Sequence, residues 1–266
     1  MNETRVSAMV EDTDKEFDRK LLIEGLGKGL RVLECFSEET PKLTATETGL
    51  KAGLTRTAAR RYLMSLVYYG YAQTDGKYYW LLPKVLRIGQ SYLQSSRLPR
   101  LVQPFLQRFS IETGETANFS VLDCHEVVYL YRSNSPRVLS IGFHTGARLE
   151  AHCSAAGHAM LAFLDPPTLH RWVEEHNFSR FTAQTLTDKA EFLRLIQQVR
   201  YQGYAVVNQY ANIGLSGVAV PLLDHKGQCV GALSATFQNV AYPEETYLQK
   251  LVPPLQNAAE TMRPII

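Results

Sequence analysis

Two stretches of this chain carry side chains whose types and spacing suit chemistry. The first reads Thr55-Arg-Thr-Ala-Ala-Arg-Arg-Tyr-Leu, with Asp75-Gly76-Lys77 following closely. Arg56, Arg60 and Lys77 offer cations to phosphate oxygens, and Thr57 and Arg61 suit the edges of bases. Thr55 and Ala58 complete a small, polar face beside them. The second reads Arg148-Leu-Glu-Ala-His-Cys-Ser-Ala-Ala-Gly-His-Ala. His152 and Cys153 are the residue types of a thiolate nucleophile and its base. Together with His158 they are also metal-ligand types, and Ser154 with Ala155, Ala156 and Gly157 makes a small-residue helix start whose free backbone N–H groups favour an anion such as a carboxylate.

Each grouping has a plainer reading beside it. Small residues at a helix start also serve close packing of helix on sheet. Adjacent residues on an extended segment point to opposite faces, which would place His152 badly as a base for Cys153. The four cysteines, Cys35, Cys124, Cys153 and Cys229, form no Cys-x-x-Cys pair, so reduced and mostly buried thiols are expected rather than disulfides or a zinc ribbon. The spacing of His152, Cys153 and His158 matches no closed metal site. Neither a metal nor a cofactor is expected.

Charge favours the polyanion reading of the first stretch. Between Lys51 and Arg100 stand nine Lys or Arg (Lys51, Arg56, Arg60, Arg61, Lys77, Lys84, Arg87, Arg97, Arg100) against one acid, Asp75, although the whole chain is only +2. The basic character is therefore local, and the phosphate backbone of duplex DNA suits it. From Leu101 onward there are 12 basic and 14 acidic residues, a shift that marks a domain boundary.

The elements that must position these residues follow from local pattern. Thr55 is a good N-cap, and Ala59, Tyr62, Leu63, Leu66 and Val67 recur at helical spacing, so a helix runs from about Arg56 to Tyr69 and ends at Gly70. Its opposite face holds Thr57, Ala58, Arg61 and Ser65. Upstream, Thr44 or Thr46 caps a short helix ending near Ala52, and Gly53 supplies the turn of a helix-turn-helix. An amphipathic helix before it, from Leu21, buries Leu26, Leu30, Leu33, Cys35 and Phe36 and is closed by Pro41. Downstream, Ala72 to Thr74 and Lys77 to Leu81 read as a hairpin about a type I′ turn at Asp75-Gly76, which completes a winged helix with Lys77 near its tip.

The domains expected are a mobile polar arm at 1–20, a winged helix-turn-helix domain at 21–82, a linker helix at 83–99 begun by Pro83, and a second domain at 100–266. In the last, a helix from about Arg100 to Thr113 precedes strands at Thr116–Leu122, Val127–Arg132 and Val138–Phe143. Asp188 with Glu191 caps a helix to Gln202. Strands at Tyr204–Gln209, Val218–Leu223 and Gln228–Phe237 follow, Ala211 to Gly217 being a loop, and a last helix opens at Pro243 and bends at Pro253-Pro254. The fold class is α+β, with an antiparallel sheet and flanking helices. At 266 residues and 45% hydrophobic content the chain can build two cores. No apolar run reaches the roughly 20 residues of a membrane span and the start is mixed in charge, so neither membrane nor signal peptide is expected and the location is cytoplasmic.

Leu54-Thr-Arg-Thr-Ala-Ala-Arg-Arg-Tyr-Leu, His152-Cys-Ser-Ala-Ala-Gly-His-Ala, Gly203-Tyr-Ala-Val and Val218-Ala-Val-Pro-Leu-Leu-Asp together resemble the IclR family of bacterial transcription regulators over nearly the whole length. Within it the Thr-Arg-x-Ala-Ala-Arg-Arg-Tyr run looks most like the branch regulating protocatechuate and p-hydroxybenzoate catabolism. The resemblance implies a GAF-like effector domain behind the winged helix, a homodimer or dimer of dimers, double-stranded operator DNA, and a small effector. By position it implies a pocket lined by Ser154, Ala155, Ala156, Val207, Leu215, Gly217, Ser234 and Thr236. The chain departs from the family where acids usually follow Gly-Tyr-x-x, reading Val207-Asn-Gln-Tyr, and where a basic residue usually follows Leu215, reading Ser216. With Ser216 in the lining, an anion end, an apolar middle and a hydroxyl-bonding end describe an aromatic carboxylate of hydroxybenzoate or phthalate type. A second charge could come from Arg132, Arg137 or His144, for which surface exposure is the plainer expectation. An aliphatic acid effector is the alternative, and a Cys-His enzyme the remaining one.

Overall fold

The computed structural model describes residues 21–133, 144–238 and 244–266. The expected arm at 1–20, the strand Val138–Phe143, Arg137 and Pro243 lie outside them. The described chain divides into two compact units, one ending at Ser95 and the other beginning at Ser96.

The first unit begins with α1 (Glu24–Glu34), which meets β1 (Leu43–Thr44), α2 (Ala45–Ala52) and α3 (Arg56–Tyr68). Thr44 caps α2 reciprocally: its hydroxyl accepts from Glu47 N at 3.3 Å, and its own N–H donates to Glu47 Oε2 at 2.7 Å. Gly53 then turns at φ 65, a conformation glycine adopts without a side-chain penalty. Thr55 accepts from Ala58 N at 3.2 Å and so starts α3. Strands β2 (Ala72–Thr74) and β3 (Tyr78–Leu81) form the wing hairpin, and β1 pairs with β3 to make an unanticipated three-stranded sheet. A 3-10 turn at Pro83–Val85 leads into α4 (Leu86–Ser95).

Two expectations for this unit are corrected. Leu26 and Leu30 are exposed, whereas Val32 joins Cys35, buried as expected, with Leu43, Ala52, Leu63 and Tyr79. Periodicity gave α1 an apolar face but could not tell which edge of it meets α3. At the wing, positive φ falls on Gly76 (98°) and not on Asp75, so the type I′ turn is not formed. The Asp75 carboxylate organises the tip instead, accepting from Lys77 N at 2.9 Å and Tyr78 N at 2.8 Å.

In the second unit α5 (Leu98–Thr113) carries Pro99 in its first turn, where a missing N–H costs nothing, so this proline opens a new helix after the linker helix has already ended at Ser95. Strands β4 (Thr116–Asp123), β5 (Glu126–Ser133) and β6 (Arg148–Glu150) come next. They are followed by a 3-10 turn at Ala151–Cys153 and by helices α6 (Ala155–Leu161), α7 (Pro166–Glu175) and α8 (Lys189–Gln202). The chain ends with β7 (Ala205–Asn208), β8 (Leu215–Leu223), β9 (Cys229–Gln238), α9 (Glu244–Met262) and a 3-10 turn at Arg263–Ile265. The six strands form one antiparallel sheet in the order β6-β5-β4-β9-β8-β7. Helices α5 and α9 pack on one face and α6 on the other, backed by α8.

Sequence reading passed over α7, although Asp165 before Pro166-Pro167 is a start signal and Leu169, Trp172 and Val173 make its buried face. It also began β8 three residues late. Leu215, Ser216 and Gly217 are strand, not loop, because Leu215 pairs with β9 and the other two with β7 and β9 at once. The core under α6 joins Leu122, Val127, Met160, Trp172, Phe192 and Ile196. Burying each such side chain contributes about 1.5–3 kcal/mol before the entropy of ordering it.

Candidate functional site

On α3, Arg56, Thr57, Arg60, Arg61 and Ser65 are exposed and Ala58 is half-buried, while Ala59 and Leu63 face the core. The exposed face therefore carries the cations, as helical spacing required. Lys77 is exposed on the wing, its ammonium 4.9 Å from the Tyr78 ring centroid. Two other cations of the basic stretch are already engaged. Lys84 donates to Tyr69 O at 2.7 Å and Lys51 to Thr40 Oγ1 at 3.1 Å, so local charge alone overstated how many cations a polyanion can recruit. A groove runs along α3 past Gly53, Thr55, Ala58, Arg61 and Ser65, with Lys28 from α1 on its far side, a residue that sequence reading did not single out. Lys28 is paired to Glu24 at 2.8 Å.

In the second unit a pocket opens between the start of α6 and strands β7, β8 and β9. It holds about 460 Å³ of atom-free space, its mouth included. The structure brings Ser154, Ala155, Ala156, Val207, Leu215, Ser216, Gly217, Ser234 and Thr236 together in its lining. Sequence reading missed Tyr129, Leu149, Cys153 as a wall residue, Tyr210 and Asn212. Alternation along β5 marks Tyr129 as half of a face, but a bulge decides which half. Phe119 pairs with Tyr131 and Ser120 with Tyr129, so Leu130 is the extra residue. Tyr129 and Arg132, three apart, thereby pair with Ser120 and Asn118 and share one face of the sheet.

Beneath the lining, the sheet is polar and buried. Asn118 Nδ2 donates to Thr236 Oγ1 at 3.3 Å, which leaves the Thr236 hydroxyl proton free to point elsewhere. The Asn118 Oδ1 and Ser120 Oγ atoms are buried without a hydrogen-bond partner. Burial pushes the Tyr129 phenol up to about 12, keeping it a neutral donor. Burial also pulls the half-buried Arg132 guanidinium below its ordinary range. His144 is exposed.

The small residues at the α6 start serve both readings, divided by residue. Gly157 lies under the Ala151 carbonyl, where a β-carbon would clash, so its smallness is a packing demand. Ala155 and Ala156 face the pocket.

Cys153 and His152 come closer than an extended segment would allow, because Ala151–Cys153 is 3-10 helical: Sγ lies 3.3 Å from Nε2. That nitrogen donates to Ser179 O at 3.0 Å and so carries the ring proton, and burial pushes the thiol up to about 12. A protonated thiol beside a protonated nitrogen is not a nucleophile and its base. His158 is likewise engaged, donating to His152 O at 2.8 Å. All four cysteines are free thiols, three of them buried and Cys124 exposed. Among the described residues no helix is long and apolar enough to cross a membrane.

Comparison with known proteins fits this geometry. Residues 25–76 match the IclR helix-turn-helix domain and residues 90–263 match the bacterial transcriptional regulator IclR C-terminal domain. The p-hydroxybenzoate hydroxylase transcriptional activator of Acinetobacter baylyi is 37% identical over 249 residues, covering 92% of each chain. The inducer-binding domain of the PobR transcription factor from Acinetobacter, solved as a double mutant with 3-hydroxybenzoic acid, superposes with a TM-score of 0.61 at 32% identity. That match covers 64% of this chain and all of the other. An IclR homologue from Microbacterium hydrocarbonoxydans, solved with 4-hydroxybenzoate, gives a TM-score of 0.72 at 26% identity and covers 90% of this chain and 97% of its own. With a helix-turn-helix unit presenting cations and an effector-type domain enclosing a pocket, this chain belongs to the IclR family of transcriptional regulators, and it is not an enzyme.

Proposed function

We propose that this regulator acts in the cytoplasm as a homodimer or dimer of dimers, controls genes of aromatic-acid catabolism, and responds to a monocyclic hydroxybenzoate-type acid in the pocket of its C-terminal domain. The observation that carries the ligand class is the lining itself. Apolar Val207, Leu215 and Leu149 suit a flat ring, while the Ser154, Ser216, Ser234, Thr236 and Tyr129 hydroxyls suit polar substituents at its ends. The relatives crystallised with 3- and 4-hydroxybenzoate support the same class. Ala155 and Ala156 line the pocket in the first turn of α6, where an α-helix leaves N–H groups without an internal partner, which suits a carboxylate.

On DNA, α3 would enter the major groove with Thr57 and Arg61 at base edges. Arg56, Arg60 and Lys77 would meet phosphates, and Thr55 and Ala58 would allow close approach at the helix start.

A thermal-shift panel of benzoate, 3- and 4-hydroxybenzoate, protocatechuate, the three phthalates, glyoxylate and pyruvate tests the ligand class. The melting temperature should rise with the logarithm of hydroxybenzoate concentration. Stabilisation by glyoxylate or pyruvate, with no aromatic acid active, would replace the aromatic assignment by an aliphatic one. Sedimentation of the protein with and without operator reads the assembly.

A further inference from the structure

Behind the pocket wall, three side chains from separate elements turn donor atoms toward one point. Glu150 ends β6, His152 sits in the 3-10 turn, and His176 follows the last turn of α7. His152 Nδ1 lies 2.7 Å from His176 Nε2 and 3.5 Å from Glu150 Oε2, and the last two atoms are 3.3 Å apart. We propose that Glu150, His152 and His176 form a binding site for a first-row divalent cation, zinc before others, distinct from the effector pocket and independent of what that pocket binds.

The geometry fits the ion. A cation at the usual 2.0–2.2 Å from each donor would stand roughly 1 Å above the triangle, leaving a fourth position for water. Orientation is already set. His152 gives its Nε2 proton to the Ser179 carbonyl, so its lone pair sits on Nδ1 and faces the centre, the arrangement by which an outer carbonyl fixes a ligating imidazole. The His176 ring is held by stacking on Trp172 at 4.4 Å and on His125 at 5.1 Å. Both imidazoles are buried, and Glu150, one-third exposed, supplies the negative charge and the way in.

Without a cation, the His176 ring proton on Nε2 is shared with His152 Nδ1 and Glu150, which accounts for the short contact between the rings. When the cation binds Nε2 that proton moves to Nδ1 of the same ring, and no net proton is released. Two imidazoles and one carboxylate suit zinc and its neighbours rather than magnesium or calcium, which take oxygen ligands. Cys153 lies on the opposite, Nε2 edge of His152, outside the ligand set. His152 precedes Ser154 by two residues, and both Leu149 and Cys153 line the pocket, so a cation here would pin the wall on which the effector rests.

The test uses the tag-free full-length chain, stripped with a chelator and titrated with ZnCl2 against a chromophoric competitor, with bound metal counted by elemental analysis. Near-stoichiometric zinc is expected, weakened on the order of tenfold to a hundredfold or more in Glu150→Gln and in His176→Gln. It should be unchanged in His170→Gln and His225→Gln, which alter exposed histidines. Zinc should raise the melting temperature of the parent protein and not of the two site variants. The melting temperatures of the stripped forms report whether the variants fold, and Glu150→Gln carries the test if His176→Gln does not. X-ray absorption should show imidazole and oxygen scatterers without sulfur. Absence of stoichiometric zinc, equal binding by both site variants, or a sulfur ligand would each overturn the proposal.

Discussion

Gly217 on β8 faces Ala155 at the start of α6 so closely that a β-carbon on Gly217 would meet the Ala155 β-carbon at 3.7 Å. That distance is ordinary van der Waals separation, so the pair sets the width of the pocket without straining it. Gly217 is not in the left-handed region, and a strand accepts β-branched residues. Gly217→Ile should therefore fold and still bind operator while its side chain fills the pocket. Thermal shift by 4-hydroxybenzoate should vanish in Gly217→Ile and survive in Gly217→Ala. An equal shift in Gly217→Ile and the parent would place the ligand elsewhere.

DNA binding should be strongly salt-dependent, because phosphate neutralisation releases counterions. Arg60→Ala should weaken binding to operator and random duplex alike and flatten the salt slope. Arg61→Ala or Thr57→Ala should instead reduce discrimination, by about 1 to 3 kcal/mol for each base edge no longer read. A titration in which Arg61→Ala discriminates as well as the parent would remove that residue from the base-reading face.

The thiols should sort by exposure. Cys124 is exposed, whereas burial, together with the nearby Glu150 charge, pushes the Cys153 thiol up to about 12, and burial pushes Cys229 up to about 12 as well. Iodoacetamide at neutral pH should mark Cys124 and spare the other three until the protein unfolds, as mass spectrometry of tryptic peptides would show. Cys153→Ser should keep the inducer response. Turnover of any candidate effector that this substitution abolishes would revive an enzymatic role.

Tyr129 contributes to the alkaline limb of stability, beside the buried Cys153 and Cys229 thiols. Its phenol is raised from 10.0 to about 12 by burial, so between those values the unfolded chain has lost a proton that the folded chain keeps. The folded state then binds more protons, and stability falls as pH rises, by up to about 3 kcal/mol across the window. Urea midpoints measured from about pH 9 to pH 11 should show this slope, and Tyr129→Phe should lessen it while leaving the part due to the buried thiols. An unchanged slope in the variant would assign it to other groups.

Much of the first unit is legible because its signals are local. The cap at Thr55, the apolar spacing of Ala59 and Leu63 and the stop at Gly70 all lie within one helix, and Thr44 with Glu47 announces α2 in four residues. The sequence also holds the residue types of the pocket, the small Ala155 and Ala156 and the hydroxyls of Ser234 and Thr236. Where it misled, the deciding partner was distant. Leu26 and Leu30 share the apolar spacing of α1, but only the position of α3 decides that Val32, and not they, joins Cys35 in the core. Ser216 and Gly217 look like loop until β7 and β9 pair with them from both sides.

By itself the sequence determined what short-range physics encodes: where helices start and stop, where cations cluster, and that a chain of this length can form two cores. Only the tertiary structure decided which distant atoms share a space. The bulge at Leu130 puts Tyr129 and Arg132 on one face, the sheet order lays Asn118 beside Thr236, and α7 brings His176 to His152. Helical and strand periods fix directions within an element, whereas the distances that make a pocket or a cation site come from packing elements that the chain separates by 24 to 118 residues.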